Sequence, residues 1–373
     1  MQQKLYGLDH LRALAIILVF FFHYQISIFG HPAWLPSLVK LGWTGVDLFF
    51  VLSGFLISSQ LFHQIKQRGE ICFKVFFLKR FFRILPAYWV VVAIYFCIPS
   101  FREKEALPTL WKFLTFTQNI GLDLKATGTF SHAWSLCVEE HFYFFLPLIL
   151  FLLQLVKFSR KALYLLVAFF MLGFICRLYS WNHCYLPHID AEDSWMWWYK
   201  YMYYPTYNRL DGLLIGVSLA ALHQFSPGGW SKISKYGNAM ICLSLAVLTG
   251  AYFLCYDESS YYASIFGFPL VALAYGLLVA GAISPDSFLY KWQSKTTTFI
   301  ATLSYAVYLT HKGVIHITQS LITTYTDIDK DSSLMMLICI ISCLAAGLAL
   351  NLSIEKPFLK LREYIRLKWM RFT

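Results

Sequence analysis

Apolar runs of about 20 residues, separated by short polar or aromatic stretches, recur along the whole chain. A run of that length can cross the hydrocarbon core of a bilayer as one helix. The pattern predicts ten helices, at roughly 8–29, 42–62, 82–98, 141–157, 161–178, 205–222, 237–255, 263–283, 299–319 and 334–355. The longest remaining segment, about 99–140, is too short for a separate soluble domain. No repeat at a fixed period and no low-complexity linker interrupts the pattern. We therefore expect an all-α, polytopic membrane bundle that forms a single domain over 1–373.

Composition narrows the class further. Of the 373 residues, 58% are hydrophobic and only 14% are charged, against about 25% charged in a soluble domain. The mean hydropathy is +0.56. These values exclude a soluble globular enzyme, a disordered regulator and a coiled coil. The net charge of +11 would suit nucleic acid in a soluble protein. In a membrane protein it reflects basic cytoplasmic loops, and no nucleic-acid partner is expected. With the N-terminus inside, the inner segments carry 20 Lys and Arg and the outer segments 7. That asymmetry places both termini in the cytoplasm and requires an even number of helices. The first helix lacks a small-residue cleavage site and carries Arg12 within its apolar run, so it reads as retained. The nine cysteines are scattered without a C-x-x-C pair. No metal site is expected, and free apolar thiols are the simplest reading, although Cys137 and Cys184 both fall on the outer side.

Ionisable groups inside membrane helices are costly and therefore mark function. The first helix carries Asp9, His10, Arg12 and His23. Arg12 and His23 are 11 residues apart. At ~1.5 Å per residue they stand roughly 16 Å apart, and eleven steps of about 100° return them to one face. Arg12 at the cytoplasmic edge puts His23 near mid-membrane. A neutral imidazole there can take a proton from a hydroxyl. The second helix carries Asp47 and Ser53 among small residues, and the sixth carries Arg209 and Asp211. The ninth carries His311 near mid-depth. Arg80 and Arg83, in the segment before the third helix, share a face that suits phosphates at the inner leaflet. The stretch from Ser131 to Tyr143 places His132, Trp134, Glu139, Glu140, His141 and Tyr143 at the outer interface. His188 and Asp193 spell H-x-x-x-x-D, a match that chance explains and that lies on the wrong side for a cytosolic acyl donor.

Six stretches, taken together and in order, resemble the acyltransferase 3 family of integral membrane acyltransferases. They are Arg12 to His23, Gly45 to Leu56, Arg80 to Pro86, Ser131 to Tyr143, Arg209 to Gly216 and Leu303 to His311. The resemblance covers essentially the whole chain. It implies a multi-pass protein of the bacterial inner membrane. It also implies transfer of an acetyl group from cytoplasmic acetyl-CoA to a sugar hydroxyl of a surface glycan, with lipopolysaccharide O-antigen the commonest acceptor. By position, His23 is the expected catalytic histidine and Arg12 its partner, with Glu139 and Glu140 joined to them on the acceptor side. Arg80 and Arg83, with Asp9 and Ser53, are expected to hold the donor. Asp47, Trp134, Tyr143, Arg209 and His311 are expected to hold the acceptor. His10 and His141 stand where the family usually has Gly and Gln, so His10 falls at the donor entrance and His141 adds a titratable group at the acceptor side. Many family members carry a soluble esterase-like extension or an eleventh helix. This chain ends in a basic tail, and neither is expected. His23 would either deprotonate the acceptor for direct attack or carry the acetyl group transiently. The competing readings are a transporter or flippase of a lipid-linked glycan, a sensory or scaffold membrane protein that retains the fold without catalysis, and an acyltransferase for peptidoglycan, exopolysaccharide or a small molecule.

Overall fold

A computed structural model describes residues 5–26, 29–32, 34–35, 39, 41–155 and 162–370. Ten helices answer to the ten predicted apolar runs. They are α1 (Tyr6–Ile26), α2 (Thr44–Arg68), α3 (Phe73–Cys97), α4 (Trp134–Leu155), α5 (Ala162–Tyr179), α6 (Asp211–Phe225), α7 (Gly237–Leu254), α8 (Phe268–Ala282), α9 (Lys295–Tyr325) and α10 (Ser333–Leu350). Among the described residues, eight helices are long and apolar enough to cross a membrane. The remaining two are special. The apolar α6 has 15 residues, and the 31-residue α9 is diluted by His311, Lys312, His316 and Gln319. The chain is an all-α, multi-pass membrane protein.

Several boundaries differ from the hydropathy reading, and α6 begins at Asp211, which leaves Arg209 just before it and not within it. The helix α3 begins at Phe73, so Arg80 and Arg83 lie inside it. Phe73, Phe76 and Phe77 continue the helical spacing of its apolar face, and Pro86 is accommodated within the helix. The helix α4 begins at Trp134, not near 141. Glu139 and Glu140 therefore sit more than one turn inside it, about 8 Å or more from its start. Beyond α10, Asn351–Glu355 form a π-helical turn that runs into a basic amphipathic helix, α11 (Lys356–Met370). The expected basic tail is thus helical, and it packs along α3.

The helix α2 is the hub, packed against α1, α4, α6 and α8, while α9 lies between α1 and α10. Small residues make the α2–α6 crossing close. A Cβ on Gly54 would lie 2.3 Å from the Leu213 carbonyl oxygen, and one on Gly216 would lie 2.4 Å from that of Val51. Two buried ion pairs lock the same region. Arg209 Nη2 reaches both Asp47 oxygens at 2.9 and 3.0 Å, and Arg177 Nη1 reaches Asp211 at 2.6 Å. The Arg209 guanidinium also lies over Phe268 and Tyr203, 4.0 and 4.5 Å from their ring centroids. Because backbone cannot retreat from a new side chain, Gly216→Val should force α2 and α6 apart. We expect a loss of roughly 1–3 kcal/mol or more, read as a lower unfolding temperature in detergent. An unchanged transition would contradict this packing.

Candidate active site

Two chambers lie end to end inside the bundle, and four elements order them the same way. The helix α1 gives Arg12 to the narrow chamber and His23 to the wide one. The α2 segment gives Phe49, Ser53 and Leu56 to the narrow chamber and Gly42 and Trp43, just before the helix, to the wide one, with Val46 lining both. The α4 segment gives Ser135, Glu139, Glu140 and Tyr143 to the narrow chamber, and Ser131, His132 and Trp134 to the wide one. The helix α9 gives Ser304, Tyr305 and Tyr308 to the narrow chamber, and Lys312, His316 and Gln319 to the wide one. The separation of Arg12 and His23 along one face of α1 therefore bridges the two chambers.

The narrow chamber holds about 150 Å³, room for about five water molecules. Its charged lining is Arg12, Arg80, Arg83, Glu139 and Glu140. Arg12 lies 3.7 Å from Asp9, and Asp9 also accepts from Thr298 Oγ1 at 3.3 Å. Arg80 donates to Gln60 at 3.2 Å and lies over the Tyr143 ring. Arg83 meets Glu355 at 3.4 Å, which ties the turn after α10 to the chamber wall. Glu139 accepts from Ser53 at 3.0 Å and from the Tyr143 hydroxyl. Glu139, Glu140 and Tyr143, expected on the acceptor side, line the chamber of the three arginines and not the one that His23 lines. The early start of α4 is the reason, since it carries them past the level of His23.

The wide chamber holds about 690 Å³, within the usual span of about 300–1,000 Å³ for small-molecule sites. One wall is aromatic, built from Trp43, Trp134, Trp195, Tyr199, Tyr203 and Tyr204. The far half of α9 adds polar groups to the lining. Inside it, the Lys312 ammonium meets Glu103 at 3.1 Å and donates to Ser131 Oγ at 3.3 Å. The backbone N–H of Phe130 also donates to Glu103, at 3.0 Å. Phe130 has φ of 56°, a left-handed conformation uncommon for a bulky residue and found where a chain must be aimed. It turns the chain into Ser131 and His132. The sequence reading left Glu103, Lys312 and His132 outside the site. Glu103 and Lys312 are 209 positions apart, and no local motif joins them.

His23 and His311 fix each other's protons. His311 Nδ1 lies 2.8 Å from the Tyr308 carbonyl oxygen and 3.2 Å from that of Val307. A carbonyl only accepts, so His311 Nδ1 carries hydrogen. In the uncharged pair, His311 Nε2 must then accept from His23 Nδ1, 3.0 Å away. That assignment, made from partners, leaves His23 Nε2 as a bare lone pair. The His132 ring lies beside both, with centroids 4.7 Å from His311 and 5.8 Å from His23. A hydroxyl chain closes the layer between the chambers. The Tyr308 hydroxyl donates to the His132 carbonyl at 2.7 Å and so accepts from Ser135 Oγ at 2.5 Å.

Other expected site residues have structural partners. Asp47 and Arg209 bind each other, and neither lines a chamber. His311 also lines neither chamber, and it stands behind His23. His10 Nε2 donates to the Trp292 carbonyl at 2.9 Å, and Nδ1 accepts from Thr297 Oγ1 at 2.7 Å. It ties α1 to the start of α9. His141 lines neither chamber. It bonds Thr206 Oγ1 at 2.9 Å and faces an apolar groove between α4, α5 and α6. All nine cysteines are free, Cys137 and Cys184 included.

Comparison with known proteins agrees with this architecture. The sequence profile of a family described as an acyltransferase domain, acyltransferase 3, matches residues 5–352. The peptidoglycan O-acetyltransferase OatA of Listeria monocytogenes is 29% identical over 331 residues, covering 84% of this chain and 49% of that protein. The O-acetyltransferase OatA of Staphylococcus aureus is 29% identical over 332 residues, covering 83% of this chain and 50% of its own length. The chain thus spans about half the length of the curated relatives it matches. No solved structure matches it. The profile match runs through all ten helices and both chambers, and the chain belongs to the acyltransferase 3 family.

Proposed function

We propose that this chain transfers an acetyl group from acetyl-CoA, entering from the cytoplasm, to a sugar hydroxyl of a cell-envelope glycan. The observation that carries this reading is the pair of neighbouring chambers, one lined by Arg12, Arg80 and Arg83 and the other by His23, with Val46 lining both. The narrow chamber suits the donor. Its three arginines fit phosphate oxygens, and its volume admits a thin acyl-bearing arm but not a nucleotide. The excess of Lys and Arg in alternate loops supports a cytoplasmic position for that end of the bundle, with both termini inside. The wide chamber suits a sugar, since its lining combines flat aromatic rings with hydrogen-bonding groups.

The chemistry needs a base, a stable anion site and a dry path. His23 Nε2 takes the proton of the acceptor hydroxyl. His311 holds the other ring nitrogen in the required tautomer. Lys312, already fixed by Glu103 and Ser131, supplies positive charge for the oxyanion that forms as the hydroxyl attacks the thioester carbonyl. The carbon–sulfur bond then breaks, and the proton held by His23 goes to the departing thiolate. An acetyl-histidine route uses the same lone pair as a nucleophile. Glu139, held by Ser53 and Tyr143, and Glu140 keep the arginine chamber from excess positive charge.

A relative named for peptidoglycan favours that glycan class as acceptor, ahead of lipopolysaccharide O-antigen. The test is purified chain in lipid with acetyl-labelled CoA and envelope glycans of both classes. We expect label on glycan, and we expect Arg80→Ala to raise the donor KM by about tenfold, near the weight of one charge-assisted contact. Label that never reaches any glycan would favour a transporter or a small-molecule acceptor. An unchanged donor KM in Arg80→Ala would remove the donor from the narrow chamber.

A further inference from the structure

We infer that Arg362 and Arg366 of α11, with Lys79 of α3, clamp the ribose 3′-phosphate of the donor outside the narrow chamber. The inference rests on the reading of that chamber as the donor site. It extends the site to a helix beyond residues 5–352, the stretch that the family profile matches.

Coenzyme A carries its groups in a fixed order. The thiol arm comes first, then the diphosphate, then the ribose with its 3′-phosphate. A chamber of about 150 Å³ takes the arm, so the nucleotide must stay outside, beyond the chamber arginines. The chamber wall leads to α11. Arg83 meets Glu355 at 3.4 Å, and α11 starts at the next residue. Phe358 packs on Phe82 of α3, with ring centroids 6.3 Å apart. Arg362 and Arg366 follow Phe358 by four and eight residues, on the same face of the helix. Lys79 precedes Phe82 by three residues on α3. The charges of Arg366, Arg362 and Arg80 all act on Lys79, and that of Arg362 acts on Arg80 as well. Glu363 joins the two arginines of α11. Its Oε1 accepts from Arg362 Nη2 at 2.8 Å, and its Oε2 from Arg366 Nη2 at 2.8 Å. Even fully charged, Glu363 answers one of the three cations and leaves two. The flanking sequence does not cancel them, since segments 66–83 and 356–366 together hold ten Lys and Arg against Glu70 and Glu363. The other carboxylates nearby act on the chamber arginines, Glu139 and Glu140 on Arg80 and Glu355 on Arg83. Each guanidinium has five N–H donors, and Arg366 Nε has no acceptor among the described residues. A phosphate monoester brings close to two negative charges and three acceptor oxygens, which suits paired guanidinium groups. Lipid headgroups carry phosphate too. Arg362 and Arg366, however, are turned toward α3 and are 23% and 38% exposed, while Lys356 and Lys360 are the exposed cations of the helix.

Coenzyme A and dephospho-coenzyme A differ only in the 3′-phosphate. Binding of each to the purified chain is followed by calorimetry in nanodiscs of zwitterionic phosphatidylcholine, with no acceptor present. We expect the parent to bind coenzyme A about tenfold more tightly than the dephospho form. Arg362→Gln and Arg366→Gln should each remove most of that preference by weakening coenzyme A alone. An unchanged affinity for the dephospho form then shows that the variants are folded. Arg80→Ala, which acts inside the chamber, should weaken both nucleotides by a similar factor and keep the preference. Equal binding of the two nucleotides by the parent overturns the clamp while the donor reading stands. A preference that both Gln variants keep overturns it as well, and is the result expected if the two arginines serve lipid headgroups. No binding of either nucleotide overturns the donor reading itself, and the clamp with it.

Discussion

His23→Ala should abolish acetyl transfer while leaving the protein folded. We expect kcat to fall by at least about 10³-fold, within the range of about 10²–10⁴ for a positioned general base. The donor KM should change little, because Arg12, Arg80 and Arg83 line a chamber that His23 does not reach. Folding should survive because His23 is an edge member of its network. Its side-chain partner is His311, and it is partly exposed to the wide chamber. A large fall in kcat with an unaltered unfolding temperature would assign chemistry to this imidazole. A kcat within about tenfold of the parent would remove it from the reaction. The same variant separates the two routes. In the direct route the parent protein never carries label in the absence of acceptor. In the acetyl-histidine route the parent carries one acetyl group and His23→Ala carries none.

The helices were legible because apolar runs near 20 residues have one solution in a bilayer. The relation of Arg12 to His23 was legible for a similar reason. Both lie on one helix, where spacing alone sets the face and the distance. What the sequence did not disclose depends on helix starts and on partners far apart in the chain. Glu139 and Glu140 follow a His-Ala-Trp-Ser stretch that looks interfacial, yet the aromatic Trp134 already begins α4. The shift of seven residues from the expected start carries both carboxylates from the interface into the arginine chamber. Asp47 and Arg209 carried the marks of binding residues, being charges within apolar helices. They neutralise each other across the glycine-lined crossing of α2 and α6, which no local pattern reveals. Glu103 and Lys312 escaped notice because one sits in a long loop and the other in a helix already marked by His311. Phe130 offered no warning of its left-handed backbone, since only a glycine or asparagine would have signalled it.

His311→Phe should lower kcat by about 10²-fold without removing the base itself. His311 lines neither chamber, and its side-chain hydrogen bond is to His23. With the His311 ring gone, His23 Nδ1 loses the side-chain acceptor that holds its hydrogen. The imidazole can then place its proton on Nε2 and present the wrong nitrogen to the acceptor hydroxyl. A glutamine at the same position can aim its amide oxygen where His311 Nε2 stands and accept from Nδ1 as before. His311→Gln should therefore recover most of the rate that His311→Phe loses. Both variants should leave the KM of donor and acceptor near the parent value, because neither chamber loses a lining group. A merely structural role makes the opposite forecast. Phenylalanine, the better filler of a buried site, would then be tolerated, and glutamine would be the harmful change. The order of the two variants in kcat thus decides whether the hydrogen bond between the two histidines holds His23 in its reactive tautomer or only packs α1 against α9.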